Sequence, residues 1–192
     1  MTLYEFLLFI HVAATVVWVG SGFLLIVLAL GYDRDGDDAA TERLLKDNER
    51  LATTLFIPSS LIVVLMGIAL VIESDAWAFD QLWIVIGLAG FATTFLTGLL
   101  LLKPTGDRIA AQMQRDGGMT PETLVEVRKL LVRARTDTVV MFLVIADMVL
   151  KPTGDDVGVL IGMAVILIAG VAYVVSRVRA IDEEQRPAAA PA

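Results

Sequence analysis

Five apolar stretches divide this chain, at Leu3 to Leu30, Ala52 to Ile72, Leu82 to Leu102, Thr138 to Leu150 and Val157 to Val175, and the basic residues between them fall almost entirely on one side. Runs of some 20 apolar residues match the ~30 Å hydrocarbon thickness of a bilayer. If each stretch crosses once, the first connection (Arg34, Arg43, Lys46, Arg50), the third (Lys103, Arg108, Arg115, Arg128, Lys129, Arg133, Arg135) and the tail (Arg177, Arg179, Arg186) share a side. Together they hold fourteen of the fifteen Lys and Arg residues, leaving Lys151 on the other face. Because positive charge is retained inside, the pattern sets the N-terminus outside and the C-terminus inside. The fold class expected is an all-α polytopic transmembrane bundle of five spans in the cell membrane.

The rest of the composition agrees. Hydrophobic residues make up 57 % of the chain and its mean hydropathy is +0.75, above the ~45–50 % apolar share of soluble domains. With 192 residues, five spans leave room for one domain, placed at 1–180, followed by a disordered cytoplasmic tail at 181–192. The net charge of −7 comes largely from Asp33, Asp35, Asp37, Asp38 and the tail acids, and reads as a solvated acidic surface. No basic, aromatic-rich patch points to nucleic acid, so the bilayer is the expected partner. The absence of Cys excludes disulfides and thiolate chemistry. The first stretch is far longer than a signal-peptide core and lacks a basic leader, so it is expected to stay as a helix.

Local signals place the connections. Gly31 and the Asp-rich turn are expected to end the first helix, and residues 41–50 put Leu44 and Leu45 on one side of a charged interfacial helix. Trp77, Phe79 and Trp83 form an outer aromatic belt. Pro104 is expected to stop the third span, with Asp107 capping a short helix that ends at Gly117-Gly118. Thr120-Pro121-Glu122 reads as a helix start. Residues 138–150 alone rise only ~20 Å, so one helix is expected from Pro121 to Leu150, half cytoplasmic and half spanning. Were 138–150 re-entrant, there would be four spans. Leu102-Lys103-Pro104-Thr105-Gly106-Asp107 recurs as residues 150–155, which reads as helix-end chemistry used twice, or as a trace of duplication.

His11 is the one histidine, roughly 12 Å below the outer end of the first helix at 1.5 Å per residue. A polar ring at that depth needs a partner. It is either an axial ligand to haem or a copper ligand, or an interhelical hydrogen-bonding group. Trp18 shares its face two turns on. Met66 and Met163 reach a similar depth and would complete a His/Met site, or they simply pack. Asp147 and Lys151 are spaced for an i, i+4 ion pair, with a proton relay as the other use of Asp147. Gly158 and Gly162 suit close helix packing, in a homodimer or within one chain. No Walker loop, dinucleotide fingerprint, triad or carboxylate dyad marks a soluble-type enzyme.

His11-Val-Ala-Ala-Thr-Val-Val-Trp18-Val-Gly20 resembles the first-helix pattern shared by HemJ-type protoporphyrinogen oxidases, the copper-resistance D membrane domain and a related predicted integral-membrane family of unknown function. Asn48-Glu49-Arg50-Leu51 with Pro58 and Gly67 is similar to their entry into the second helix. Asp147 to Pro152 looks most like the family of unknown function. The resemblance implies a haem or copper site at His11. HemJ-type enzymes carry a Lys and further His near the third helix, whereas this chain reads Gln81-Leu82-Trp83 and has no basic residue before Lys103. An alternative reading is a non-catalytic scaffold or small-solute transporter in which His11 only packs.

Overall fold

A computed structural model describes residues 1–184, apart from the side chain of Glu49, and all the regular structure there is helical. The helices are α1 (Leu3–Asp35), α2 (Asp38–Leu51), α3 (Ile57–Glu73), α4 (Leu82–Thr97), α5 (Lys103–Asp116), α6 (Pro121–Leu150) and α7 (Val157–Glu184). Two π-helical stretches, Ala52–Phe56 and Gly98–Leu102, join α2 to α3 and α4 to α5 without a break. Helix α1 outruns Gly31 and ends at Gly36, whose φ of 66° is left-handed backbone that glycine adopts without strain. Residues 181–184, expected in the tail, continue α7; residues 185–192, with Arg186, lie outside the described residues.

Each π-helical stretch precedes a proline. Pro58 and Pro104 have no amide hydrogen, and their rings would strike the carbonyl four residues back in a regular helix. Widening the turn instead lets Ile57 N–H reach Ala52 O and Lys103 N–H reach Gly98 O. The Thr54 hydroxyl donates to Arg50 O, satisfying a carbonyl upstream of Pro58. The expectation that Pro104 stops the third span is therefore corrected. Residues 82–116 form one continuous helical run, and Asp107 lies inside it, paired at 2.7 Å with Lys103.

Four helical runs are long and apolar enough to cross a membrane: Leu3–Asp35, Ala52–Glu73, Leu82–Asp116 and Val157–Glu184. Helix α6 carries Arg133, Arg135, Asp137 and Asp147 and falls short of that apolarity, yet it runs the length of the bundle. Near its start, Arg128 pairs with Asp33 at the end of α1 (2.9 Å) and Lys129 with Asp182 at the end of α7 (2.7 Å). At its other end, the Lys151 ammonium sits 4.2 Å from the Trp77 ring, in the turn between α3 and α4. Trp77 in turn donates to the Tyr4 hydroxyl at the start of α1. Helix α6 therefore spans from the end where α1 finishes to the end where it begins.

The polar helix is the hub. It packs against α1, α4, α5 and α7, while among the described residues α7 packs closely on α6 alone and α3 packs mainly against α1. Gly87 and Gly90 let α4 approach closely: a methyl at Gly87 would strike Met148 and one at Gly90 would strike Val144, the small-residue packing that substitutes for hydrophobic drive in lipid. Ala14, Trp18, Val19, Val63 and Met141 form the central core. A second cluster, Ile109, Met113, Val127 and Leu130, seals α5 onto the first half of α6. Most other apolar side chains face outward, α7 having no buried residue, as expected where lipid is the solvent.

Candidate functional site

His11 lies on the α1 face that meets α3. Its Nδ1 donates to the carbonyl of Val63 at 2.8 Å, since only a protonated nitrogen can face a carbonyl. That fixes the tautomer, leaving Nε2 as the acceptor; it has no protein partner among the described residues. One turn further along α3, a methyl on Gly67 would lie 3.2 Å from His11 Cε1, so the missing side chain makes room for the ring. The two sequence signals, His11 in the first span and Gly67 in the second, thus meet in space.

The other residues expected around His11 do not gather there. Trp18 is buried in the core, its ring 5.3 Å from Phe91 and tilted against it. Met163 belongs to α7, which among the described residues does not pack on α1 or α3. Met66 adjoins Gly67, but Val63 and Gly67 are the residues that meet the imidazole. No group of three His, Asp or Glu side chains suited to a metal occurs among the described residues. Gly158 and Gly162 face open space on α7, so no described residue packs closely on them.

The Asp147–Lys151 ion pair is also corrected. Lys151 ends α6 in the left-handed conformation, φ 46°, which turns its side chain away from the i−4 position. The ammonium settles over Trp77 and, at 5.4 Å, Trp83. Only its backbone N–H returns to Asp147, at the carbonyl. The Asp147 carboxyl is 0 % exposed, and neither oxygen has a hydrogen-bond partner among the described residues.

A cavity of about 250 Å³ occupies the half of the bundle nearer the end of α1. Trp18 and Met141 bound it towards the centre, while α2 contributes Leu44, Leu45 and Asn48. It lies where α3 and α4, which barely touch, leave room between Ser60 and Thr94. Both π-helical stretches line it, through Ala52, Phe56, Gly98 and Leu102, and such stretches are frequent at functional sites. The Ser60, Thr94 and Thr138 hydroxyls donate to their own helix backbones, so they face the space as acceptors. Asp137 lines the same space with no hydrogen bond or ion pair to a described residue. An unpartnered carboxyl in apolar walls calls for a donor or a cation. The threonines of α4 and the proline of α3 stand out in the sequence without any sign that they share a space; the prolines at 58 and 104 were the available signal.

Residues 5–152 match the model of a family described as predicted integral membrane protein (DUF2269). No curated protein and no solved structure matches the chain. The comparisons bring in neither the copper-resistance D domain nor the HemJ-type oxidases.

Proposed function

The chain belongs to the DUF2269 family of integral membrane proteins, and from that membership we propose that it works as a multi-pass membrane protein holding an amphiphilic small molecule in its inner-half cavity. The observation that carries this reading is the unpartnered Asp137 carboxyl in a cavity of about 250 Å³ with largely apolar walls. A ligand with an apolar body and an amine or hydroxyl head would satisfy both. Gly98 lines the cavity in helical backbone, with open space where its Cβ would be. Gly98→Leu should therefore fill the cavity without a clash. Native mass spectrometry of protein purified in mild detergent should show a retained amphiphile in the wild type, lost in Gly98→Leu and weakened in Asp137→Asn. Wild-type protein that carries none would sink the reading.

A second reading rests on the His11 tautomer. A ring whose Nδ1 is tied to a backbone carbonyl presents Nε2 as ligating imidazoles do, which supports haem b or copper at His11. The residues present fit in part, because the chain supplies one imidazole and brings no second strong donor beside it. Bound haem would bring redox chemistry, while His11 would hold it and Gly67 would keep the ring in place. A reduced-minus-oxidised spectrum with metal analysis tests this; neither group at a substantial fraction of one per chain leaves His11 as a hydrogen-bonding scaffold residue. The homodimer through Gly158 and Gly162 would then be an independent matter of packing in lipid.

Orientation in the cell membrane, N-terminus out and C-terminus in, is set by the basic residues. A reporter fused after Ala192 should behave as cytoplasmic and one inserted between Asp75 and Asp80 as external.

A further inference from the structure

At the end of the bundle where α1, α6 and α7 come together lies a groove of about 200 Å³, lined by Arg128 and Arg135 of α6 and Arg177 of α7, with Asp33 and Glu184 among its walls. Three cations face two acids. Arg128 Nε is taken by Asp33, and Arg135 Nη1 donates to the Tyr173 hydroxyl at 2.9 Å. Arg135 Nε–H, however, is buried with no partner, and Arg177 makes no ion pair among the described residues. The groove thus keeps unspent cationic donors, one of them already shielded from water. Such an arrangement is complementary to phosphate oxygens, which guanidinium groups bind through parallel N–H donors.

The surroundings select among phosphates. Among the described residues, helices α1 and α7 both pack on α6 and not on each other. Two turns beyond Arg135, Phe142 of α6 is half exposed and meets Phe23 of α1 edge-on at 5.8 Å, an apolar surface open to a lipid chain. Tyr173, the partner of Arg135, comes at the end of the apolar stretch of α7, where a membrane interface is expected. We propose that this groove binds the headgroup phosphate of an anionic phospholipid, with its acyl chains along the exposed apolar strip of α6 at Phe142. Basic pockets between spans on the cytoplasmic side are suited to such headgroups.

The test uses full-length protein in neutral detergent, titrated with phosphatidylglycerol or phosphatidylcholine while thermal stability and retained lipid are measured. Phosphatidylglycerol should stabilise the wild type more than phosphatidylcholine does. The pair Arg135→Gln and Arg177→Gln should weaken its apparent affinity about tenfold or more, the loss expected from charge-assisted hydrogen bonds, whereas Arg115→Gln on α5 should leave it unchanged. If the paired variant fails to fold, Arg177→Gln alone, on an exposed residue, should still reduce the selectivity. Equal response to the two lipids, an unaltered response in Arg177→Gln, or full reproduction of the effect by millimolar inorganic phosphate would overturn the proposal.

Discussion

Identical hexapeptides take opposite roles in this molecule. Residues 102–107 and 150–155 both read Leu-Lys-Pro-Thr-Gly-Asp, yet the first lies inside a continuous helical run and the second ends a helix. In the first, Pro104 is exposed, Thr105 is buried and Lys103 reaches Asp107 across one helical turn. In the second, Pro152 is buried, Thr153 is exposed and Lys151 has turned left-handed to lie over Trp77. The residues downstream of each copy decide the outcome. After the first copy, Ile109 and Met113 find Val127 and Leu130 to pack against, and that burial outweighs the cost of a proline accommodated by a π turn. After the second comes Asp156, which accepts from both the N–H and the hydroxyl of Thr153 (each 2.8 Å) and whose carbonyl starts α7. A local motif, here, proposes a helix end, and tertiary burial accepts or overrules it.

The contrast breaks most directly at Met113. Met113→Ala should cost about 2–5 kcal/mol, the range for a large buried side chain reduced to Ala. It should also raise amide hydrogen exchange over residues 104–116, so unchanged protection there would mean that packing does not hold the helix through Pro104. Next in size is one substitution made twice. Pro152→Ala should lose about 1–3 kcal/mol, because it empties a filled site, while Pro104→Ala should leave thermal stability unchanged or raise it by removing a helix-interior proline. Equal losses at the two sites would erase the distinction.

A smaller effect is expected at Lys151. Lys151→Ala should cost about 0.5–1 kcal/mol through its aromatic contacts. Combined with Asp147→Ala, it should be additive within about 0.5 kcal/mol; stronger coupling would bring the ion pair back. The smallest lies at Asp156, whose carboxyl is held below the ordinary Asp range by the backbone N–H of Thr153 and then by its hydroxyl. A lowered folded-state value means that the stabilisation is present above the ordinary value, ~3.9, and is lost as pH falls through the folded one. The stability gap between wild type and Asp156→Asn should therefore close on acidification. A gap constant from neutral to strongly acid pH would exclude that role.

Much of the bundle is legible in the sequence because hydropathy reports directly on lipid exposure. The apolar stretches are helices, and the start of α6 at Pro121 is written in Thr120, whose hydroxyl accepts from Thr123 N–H in a reciprocal cap. The departures share one cause. At Pro104 and Lys151, neighbours in sequence give the wrong signal, because the side-chain burial that carries the helix past Pro104 and the rings that hold Lys151 come from distant segments. The site is half legible: His11 and Gly67 stand out separately, and their contact is what the structure adds. The cavity is hidden because its walls come from six helices and both π-helical stretches, and the Arg groove because its cations register in sequence only as orientation signals.

The polarity of α6 bears on how the protein is made. A segment with Arg133, Arg135, Asp137 and Asp147 gains too little from hydrocarbon to enter it alone, since each central charge costs about 2.5–3.5 kcal/mol on insertion scales. The six-residue turn 151–156 and the strongly apolar α7, which among the described residues packs closely on α6 alone, complete a helical hairpin whose second arm can carry the first across. Chains truncated near Lys151 should leave α6 outside the bilayer as a substrate for quality-control proteases, whereas chains that include α7 should be protected, so that the later helix settles the fate of the one before it.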